Sequence, residues 1–129
     1  MTTTMHVTVV RMETNETDNY KQVAFADRDG EPTAYVIMQR AIEPDAQDSD
    51  LALDGCYIET SVPSLRGYEL CDRVVADGKS VLIQFKSAHG ARPDDLCLDL
   101  KGAAYSGIEL RAHLAFIARG IFADNGDMA

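Results

Sequence analysis

Residues 35–57 read Tyr-Val-Ile-Met-Gln-Arg-Ala-Ile-Glu-Pro-Asp-Ala-Gln-Asp-Ser-Asp-Leu-Ala-Leu-Asp-Gly-Cys-Tyr. The run 34–38 is apolar at consecutive positions, the pattern of a strand covered on both faces, so it is expected to be central. Gln39 and Arg40 end it, and Pro44 opposes a long helix through the next segment. Glu43, Asp45, Asp48, Asp50 and Asp54 then fall within twelve residues that hold no Lys or Arg. Asp54-Gly55 turns the chain into a second strand over 56–60, because Gly accepts the positive φ of a tight turn. A strand pair presenting an acidic loop suits a surface for a basic partner better than a reaction pocket.

On the N-terminal side, Val7 and Val9 alternate with His6 and Thr8, which predicts a strand over 7–12. The polar cluster 15–19 ends it. A second strand covers 22–27, with Val23 and Phe25 on one face. Asp29-Gly30 signals a hairpin, and Pro32 stands where a missing N–H does least harm. On the C-terminal side, Pro63 and Gly67 mark a loop. A strand over 68–76 puts Tyr68, Leu70 and Val74 on one face, with Asp72 interrupting it. Asp77-Gly78 is the clearest hairpin turn, leading into 81–85, where Val81, Ile83 and Phe85 alternate with Leu82 and Gln84. The segment 89–95 is a loop, and Leu96, Leu98 and Leu100 form a last strand.

There the period changes. Ser106-Gly107-Ile108-Glu109 matches a capping box. Leu110, Leu114, Ile117 and Ile121 form one helical stripe. Arg119 complements the helix's negative end and Gly120 stops it. Ile108 and Phe116 fall off the stripe, which suggests that a second face is covered too. About seven strands joined by short turns, then one helix, give an α+β domain: a mostly antiparallel sheet with a C-terminal helix packed on it. At 129 residues the chain is expected to form one domain, 1–129, with 1–4 and 123–129 as frayed ends.

Composition narrows the function. The formal net charge is −9, and residues 1–59 carry 12 acidic against 4 basic side chains. Such a field repels nucleic acid and anionic lipid, so neither is expected as a partner, whereas a basic protein is attracted. No apolar run approaches the length of a membrane span, and residues 1–7 lack the basic and apolar regions of a secretory signal. Three cysteines, Cys56, Cys71 and Cys97, form neither an even set nor a Cys-x-x-Cys pair. They read as buried small hydrophobes in a reducing cytoplasm.

The search for chemistry returns little. No nucleophile elbow, P-loop, dinucleotide fingerprint or zinc pattern is present. His6, His89 and His113 are isolated from one another, and His113 at the edge of the helix stripe reads as half-buried and structural. Asp45, Asp48 and Asp50 are close enough for a hard cation, but the Gly and distal Glu of a calcium loop are missing. Solvated loop carboxylates are the simpler reading. Glu59, Glu69, Asp72 and Asp99 read as outward-facing strand residues. No catalytic residue, cofactor or metal ligand is assigned, and the chain is expected not to be an enzyme.

A set of residues over about 20–86 carries a resemblance. The apolar run ends in Gln39-Arg40; an acidic loop with Gln47-Asp48 comes next; then come Leu53-Asp54-Gly55-Cys56-Tyr57-x-Glu59 and Gly67-Tyr68. This resembles the Immunity protein 10 family of bacterial polymorphic-toxin systems. It departs in having Cys56 where a larger or aromatic residue is expected. The resemblance implies a toxin inhibitor, made beside a toxin delivered between bacterial cells. Many such toxins are nucleases with basic substrate sites, and an acidic loop would mimic phosphate there. From charge, the expected partner-binding residues are Glu43, Asp45, Asp48, Asp50, Asp54 and Glu59. Gly55, Gly67, Tyr57 and Tyr68 are expected to serve turn geometry and sheet packing, and Gln39 to be a buried hydrogen-bonder at the base of the loop. The rival is a sheet domain that binds a small molecule or divalent metal through the loop 43–54. An exposed edge strand would also allow a homodimer.

Overall fold

The structure is a computed structural model that describes residues 2–43, 55–87 and 91–125. Asp45, Asp48, Asp50 and Asp54 of the acidic loop, and His89, lie outside the described residues. The described chain forms ten strands and one helix. They are β1 (Thr2–His6), β2 (Val9–Asn15), β3 (Tyr20–Ala26), β4 (Tyr35–Ala41), β5 (Tyr57–Thr60), β6 (Arg66–Tyr68), β7 (Cys71–Asp77), β8 (Ser80–Phe85), β9 (Asp95–Asp99), α1 (Gly107–Ile117) and β10 (Phe122–Asp124). The α+β expectation holds, but the strands number ten rather than about seven and form two five-stranded sheets.

One sheet is a local meander, β2-β3-β4-β5-β6, antiparallel throughout. The other runs β1-β9-β8-β7-β10. Its middle is antiparallel, while the chain's two ends close its edges in parallel: β1 on β9 and β10 on β7. Residues 2–4 and 123–124, read from sequence as fraying, therefore belong to strands. Nothing in the composition of Thr2-Thr3-Thr4 or Phe122-Ala123-Asp124 marks them; a long-range parallel partner holds them.

The sheets pack through a single core. Val23, Phe25, Val36, Met38 and Ile58 come from the meander, and Val74, Val81, Ile83, Phe85 and Leu98 from the other sheet. The predicted alternation of Val81, Ile83 and Phe85 is present, each at most 1% exposed. β4 is the middle strand of its sheet, as expected, but only Val36 and Met38 are buried. Tyr35 and Ile37 are half-buried, so the strand is covered on one face among the described residues.

Two predicted strands are each split by a change of sheet. Val7 donates its N–H to Asp99 in one sheet at 2.9 Å, and Thr8 donates to Ala26 in the other at 2.9 Å. Val7 faces the core, but the period slips by one residue, so Val10 and Met12 rather than Val9 pack against it. Further on, Glu69 takes φ 59° and donates to Cys56 O, while Leu70 O accepts from Lys86 in the second sheet. Tyr68 and Val74 therefore share no face. The interruption at Asp72 is a bulge: Cys71 pairs with Phe85 and Arg73 with Gln84. The Asp77-Gly78 turn forms as expected, with Gly78 at φ 59° and Asp77 opposite Ser80.

The helix is capped by the Ser106 hydroxyl, which accepts from Glu109 N at 3.2 Å. Leu110, Leu114 and Ile117 are fully buried, against β3, β4 and β10. The helix stops at Ile117, three residues short of Gly120, and Ile121 lies beyond it. No basic residue of its own lies in its last turn. Instead Arg40 of β4 donates Nε to Ile117 O at 2.9 Å, serving the negative end that Arg119 was expected to serve. Arg119 lies over the Phe116 ring at 5.6 Å, with Lys21 over the same ring at 5.2 Å. Ile108 is 71% exposed, so no second face is covered there.

Candidate functional site

Residues directly opposite in an antiparallel pair share a face. The register of the meander therefore defines its outer face as rows. One row is Arg11, Ala24, Ile37, Glu59 and Arg66; the next is Glu13, Gln22, Gln39, Tyr57 and Tyr68. Val9, Ala26 and Tyr35 begin a third, and Asn15, Tyr20 and Ala41 end the series. Four of the chain's five tyrosines, Tyr20, Tyr35, Tyr57 and Tyr68, thus lie on one face. The helix packs on the other face, with its buried side chains in the common core.

Glu59 is the centre of this face. Tyr35 donates its hydroxyl to Glu59 Oε2 at 3.0 Å, and Tyr57 donates to Oε1 at 3.3 Å. Arg66 donates Nη2 to the Tyr35 hydroxyl at 3.1 Å and Nε to Thr60 O at 3.0 Å. The Tyr57 and Tyr68 rings pack at 5.1 Å between centroids, so the packing role expected for them is present. The small side chains of Ala24 and Ala26 leave a shallow depression of about 280 Å³ beside Tyr35, Ile37, Pro32 and Glu59.

The carboxylates tune their neighbours. The hydrogen bond to Glu59, then burial, pushes the Tyr35 hydroxyl above its ordinary range. Burial, then the Glu59 charge, does the same to Tyr57. Tyr20 is raised by its 2.7 Å hydrogen bond to Glu13. All three phenols are thereby favoured as neutral donors, and their hydrogen bonds orient the carboxylates they face.

Of the six residues expected from charge, Glu43 and Glu59 fall among the described residues, and the fold does not bring them together. Glu59 lies within the face, opposite Ile37. Glu43 is exposed beyond the end of β4, beside the turn between β2 and β3. Asn19 in that turn, at φ 64°, grips it: Nδ2 donates to Glu43 O at 2.7 Å and Oδ1 accepts from Glu43 N at 2.9 Å. The start of the acidic loop is therefore fixed. Gln39 is half-buried on the outer face rather than fully buried at the base of the loop.

The glycine readings divide. Gly67 has φ +149°, a conformation L side chains rarely adopt, so backbone geometry selects it. Gly55 has no such φ; a Cβ there would overlap the Glu69 carboxylate. Close approach, not turn geometry, favours Gly at 55. Cys56 and Cys71 are buried as expected, and Cys97 is half-buried. The Cys71 thiol is pushed well up by its hydrogen bond with Cys56 and by burial. His113 is half-buried, its Nδ1 3.1 Å from Glu109 O and its Nε2 buried with no hydrogen-bond partner among the described residues.

Among the described residues no group of three or more His, Cys, Asp or Glu side chains is placed to hold a metal ion. Among them, too, no helix is long and apolar enough to cross a membrane. Among the described residues the fold is a two-sheet α+β domain with one helix, and one sheet carries a tyrosine–carboxylate face. The family model described as Immunity protein 10 matches residues 6–101, and the chain belongs to that family. The match extends beyond residues 20–86 and takes in β2 to β9, leaving β10 and all of β1 but His6 outside it. Comparison with the curated proteins finds no match, nor does comparison with the solved structures. An immunity protein family implies a toxin protein as binding partner and a toxin-neutralising role.

The tyrosine face was readable only in part. Tyr57 and Glu59 stand in a short run read as a strand, with Glu59 outward-facing, whereas Tyr35 and Ile37 stand in a consecutively apolar run that reads as covered on both faces and is covered on one among the described residues. Which strands align, and so which tyrosine hydroxyls meet Glu59, depends on register, which no local pattern carries.

Proposed function

We propose that this protein is a non-catalytic immunity protein that binds one cognate bacterial toxin domain in the cytoplasm and neutralises it through an acidic surface. Membership of the Immunity protein 10 family carries the reading. The charge distribution supports it, since residues 1–59 hold 12 acidic and 4 basic side chains. The acidic surface comprises Glu43, Asp45, Asp48, Asp50 and Asp54; Glu59, engaged by Tyr35 and Tyr57 within the sheet face, would be a contact apart from Glu43. A toxin acting on nucleic acid or another polyanion has a basic substrate site. Carboxylates spaced along a loop occupy such a site as phosphates would, and long-range attraction speeds the encounter.

Asn19 hydrogen-bonds the backbone of Glu43, the first of these carboxylates, beyond the end of β4. The test uses the variant in which Asp45, Asp48 and Asp50 are all changed to Asn. Its association rate with the toxin domain should fall at low salt, and the salt dependence of that rate should flatten. Unchanged rate and salt dependence would reject the acidic-loop mechanism.

A further inference from the structure

The helix covers the β10 side of the second sheet; beside β1 the two sheets leave a groove of about 660 Å³. Its floor includes Met5, Val36, Leu65 and Leu96. Thr3, Thr4, Met5 and His6 all border it, four consecutive residues of β1. One face of a strand offers only alternate residues, so it is the edge of β1 that borders the space. Among the described residues β1 pairs on one side alone, in parallel with β9. Its other edge therefore presents backbone donors and acceptors that no strand among the described residues pairs with. Edge strands are commonly guarded by Lys, Pro or a bulge. Thr2-Thr3-Thr4-Met5-His6 has none of these among its residues, and β1 pairs in unbroken register.

The charges around this groove have one dominant sign. Asp27, Asp94 and Asp95 line it, and among the described residues His6 is the only basic side chain that does. His6 is engaged with Asp99 at 3.1 Å. Arg92, near the rim, lies 3.2 Å from Asp95 Oδ1 and offsets that one carboxylate. Asp95 Oδ2 accepts from Gln84 Nε2 at 3.2 Å, and Asp27 Oδ1 accepts from Thr33 N at 3.0 Å. Neither Asp27 nor Asp94 has an ion pair among the described residues. Val62, 49% exposed, adds an apolar contact at the rim.

We infer that this groove is a strand-addition site for an extended, cationic segment of the toxin domain. The segment pairs with the free edge of β1, sets Lys or Arg side chains against Asp27 and Asp94, and lays an apolar side chain over Val62 and Leu65. Main-chain pairing supplies affinity, and the carboxylates supply preference for a basic segment. The inference rests on the immunity reading and gives it a second contact area.

The test uses the full chain and, as probe, the C-terminal domain encoded by the reading frame immediately upstream. Hydrogen exchange is compared between the free protein and its one-to-one complex. Asp94→Lys and Val62→Glu are measured beside the parent for binding and melting temperature. The expected result is slowed exchange over residues 2–6 in the complex and about tenfold weaker binding by each variant, with melting temperatures unchanged. A complex in which residues 2–6 exchange as in the free protein, and which both variants form as tightly as the parent, overturns the groove but leaves the immunity reading standing. Failure of the parent to bind the probe overturns the reading and this inference together. Concentration-dependent protection of residues 2–6 without the probe, unchanged when the probe is added, assigns the groove to a second copy of this chain and overturns the proposed occupant.

Discussion

The two sheets differ in how the chain builds them. The meander joins five strands in sequence order, each hydrogen-bonded to the next. The second sheet takes its edge strands from opposite ends of the chain, and β1 meets β9 across about ninety residues. Loop-closure entropy grows with that separation, so the meander's contacts can form early and the parallel edges late. The same contrast appears in the surfaces they offer. The meander's outer face is a closed network in which Glu59, Tyr35, Tyr57 and Arg66 satisfy one another. The groove beside β1 is bordered by an edge strand whose second side is unpaired among the described residues. A satisfied network holds its shape, whereas a free edge invites another chain.

If the two sheets share one core, breaking either should break both. Phe25→Ala in the meander and Phe85→Ala in the second sheet remove side chains 0% and 1% exposed. Each should cost about 3–5 kcal/mol, with a single thermal transition in both variants. Two separate transitions by calorimetry would mean that the sheets unfold independently. A smaller effect belongs to the helix between them. Ser106→Ala removes the N-cap and should cost about 1 kcal/mol by urea unfolding, with no change in the denaturant slope.

Smaller still is the titration of the tyrosine face. Tyr35 and Tyr57 have raised values in the fold, so the folded state holds its phenolic protons more tightly than the unfolded chain. Their contribution to stability is therefore whole below pH ~10 and is lost as pH rises through the raised folded values. Absorbance titration of the phenolate should show tyrosines ionising above the ordinary range. Glu59→Gln should bring that portion down, because it removes the charge facing both hydroxyls. An unchanged titration curve would mean that burial alone sets the shift. At the acid end, Asp99 is held low by the Lys101 N–H and by its hydrogen bond to His6. What it adds to β1 and β9 is present above the ordinary carboxylate value and lost as pH falls through the lowered one. The protection of β1 amides, taken relative to their intrinsic exchange rates at each pH, should thus fall at low pH, by the smallest of these margins.

The contrast between the sheets also explains what could be read from sequence. The meander was largely legible. The middle position of β4 came out as expected, although the two-faced cover it was read from is absent among the described residues; Val23, Phe25 and the Asp29-Gly30 hairpin follow from local period and turn chemistry. So does the β7–β8 hairpin in the second sheet. The changes of sheet at Val7–Thr8 and Glu69–Leu70 were not, because an apolar run continues through each and only the one-residue slip in period marks the first. The parallel edge strands carry no apolar alternation at all. Of the candidate site, Glu59 was found from charge, but its tyrosine cage depends on register. Arg40 at the C-terminus of α1 was missed because its partner, Ile117, lies 77 residues away.

The most direct test of the immunity reading is growth rescue. The C-terminal domain of the upstream reading frame is expressed in a bacterium with and without this protein, and growth is measured. The expected result is arrest by the toxin domain alone, recovery on co-expression, and a one-to-one complex on purification. Arrest that persists although this protein is present, folded and in excess would contradict the account.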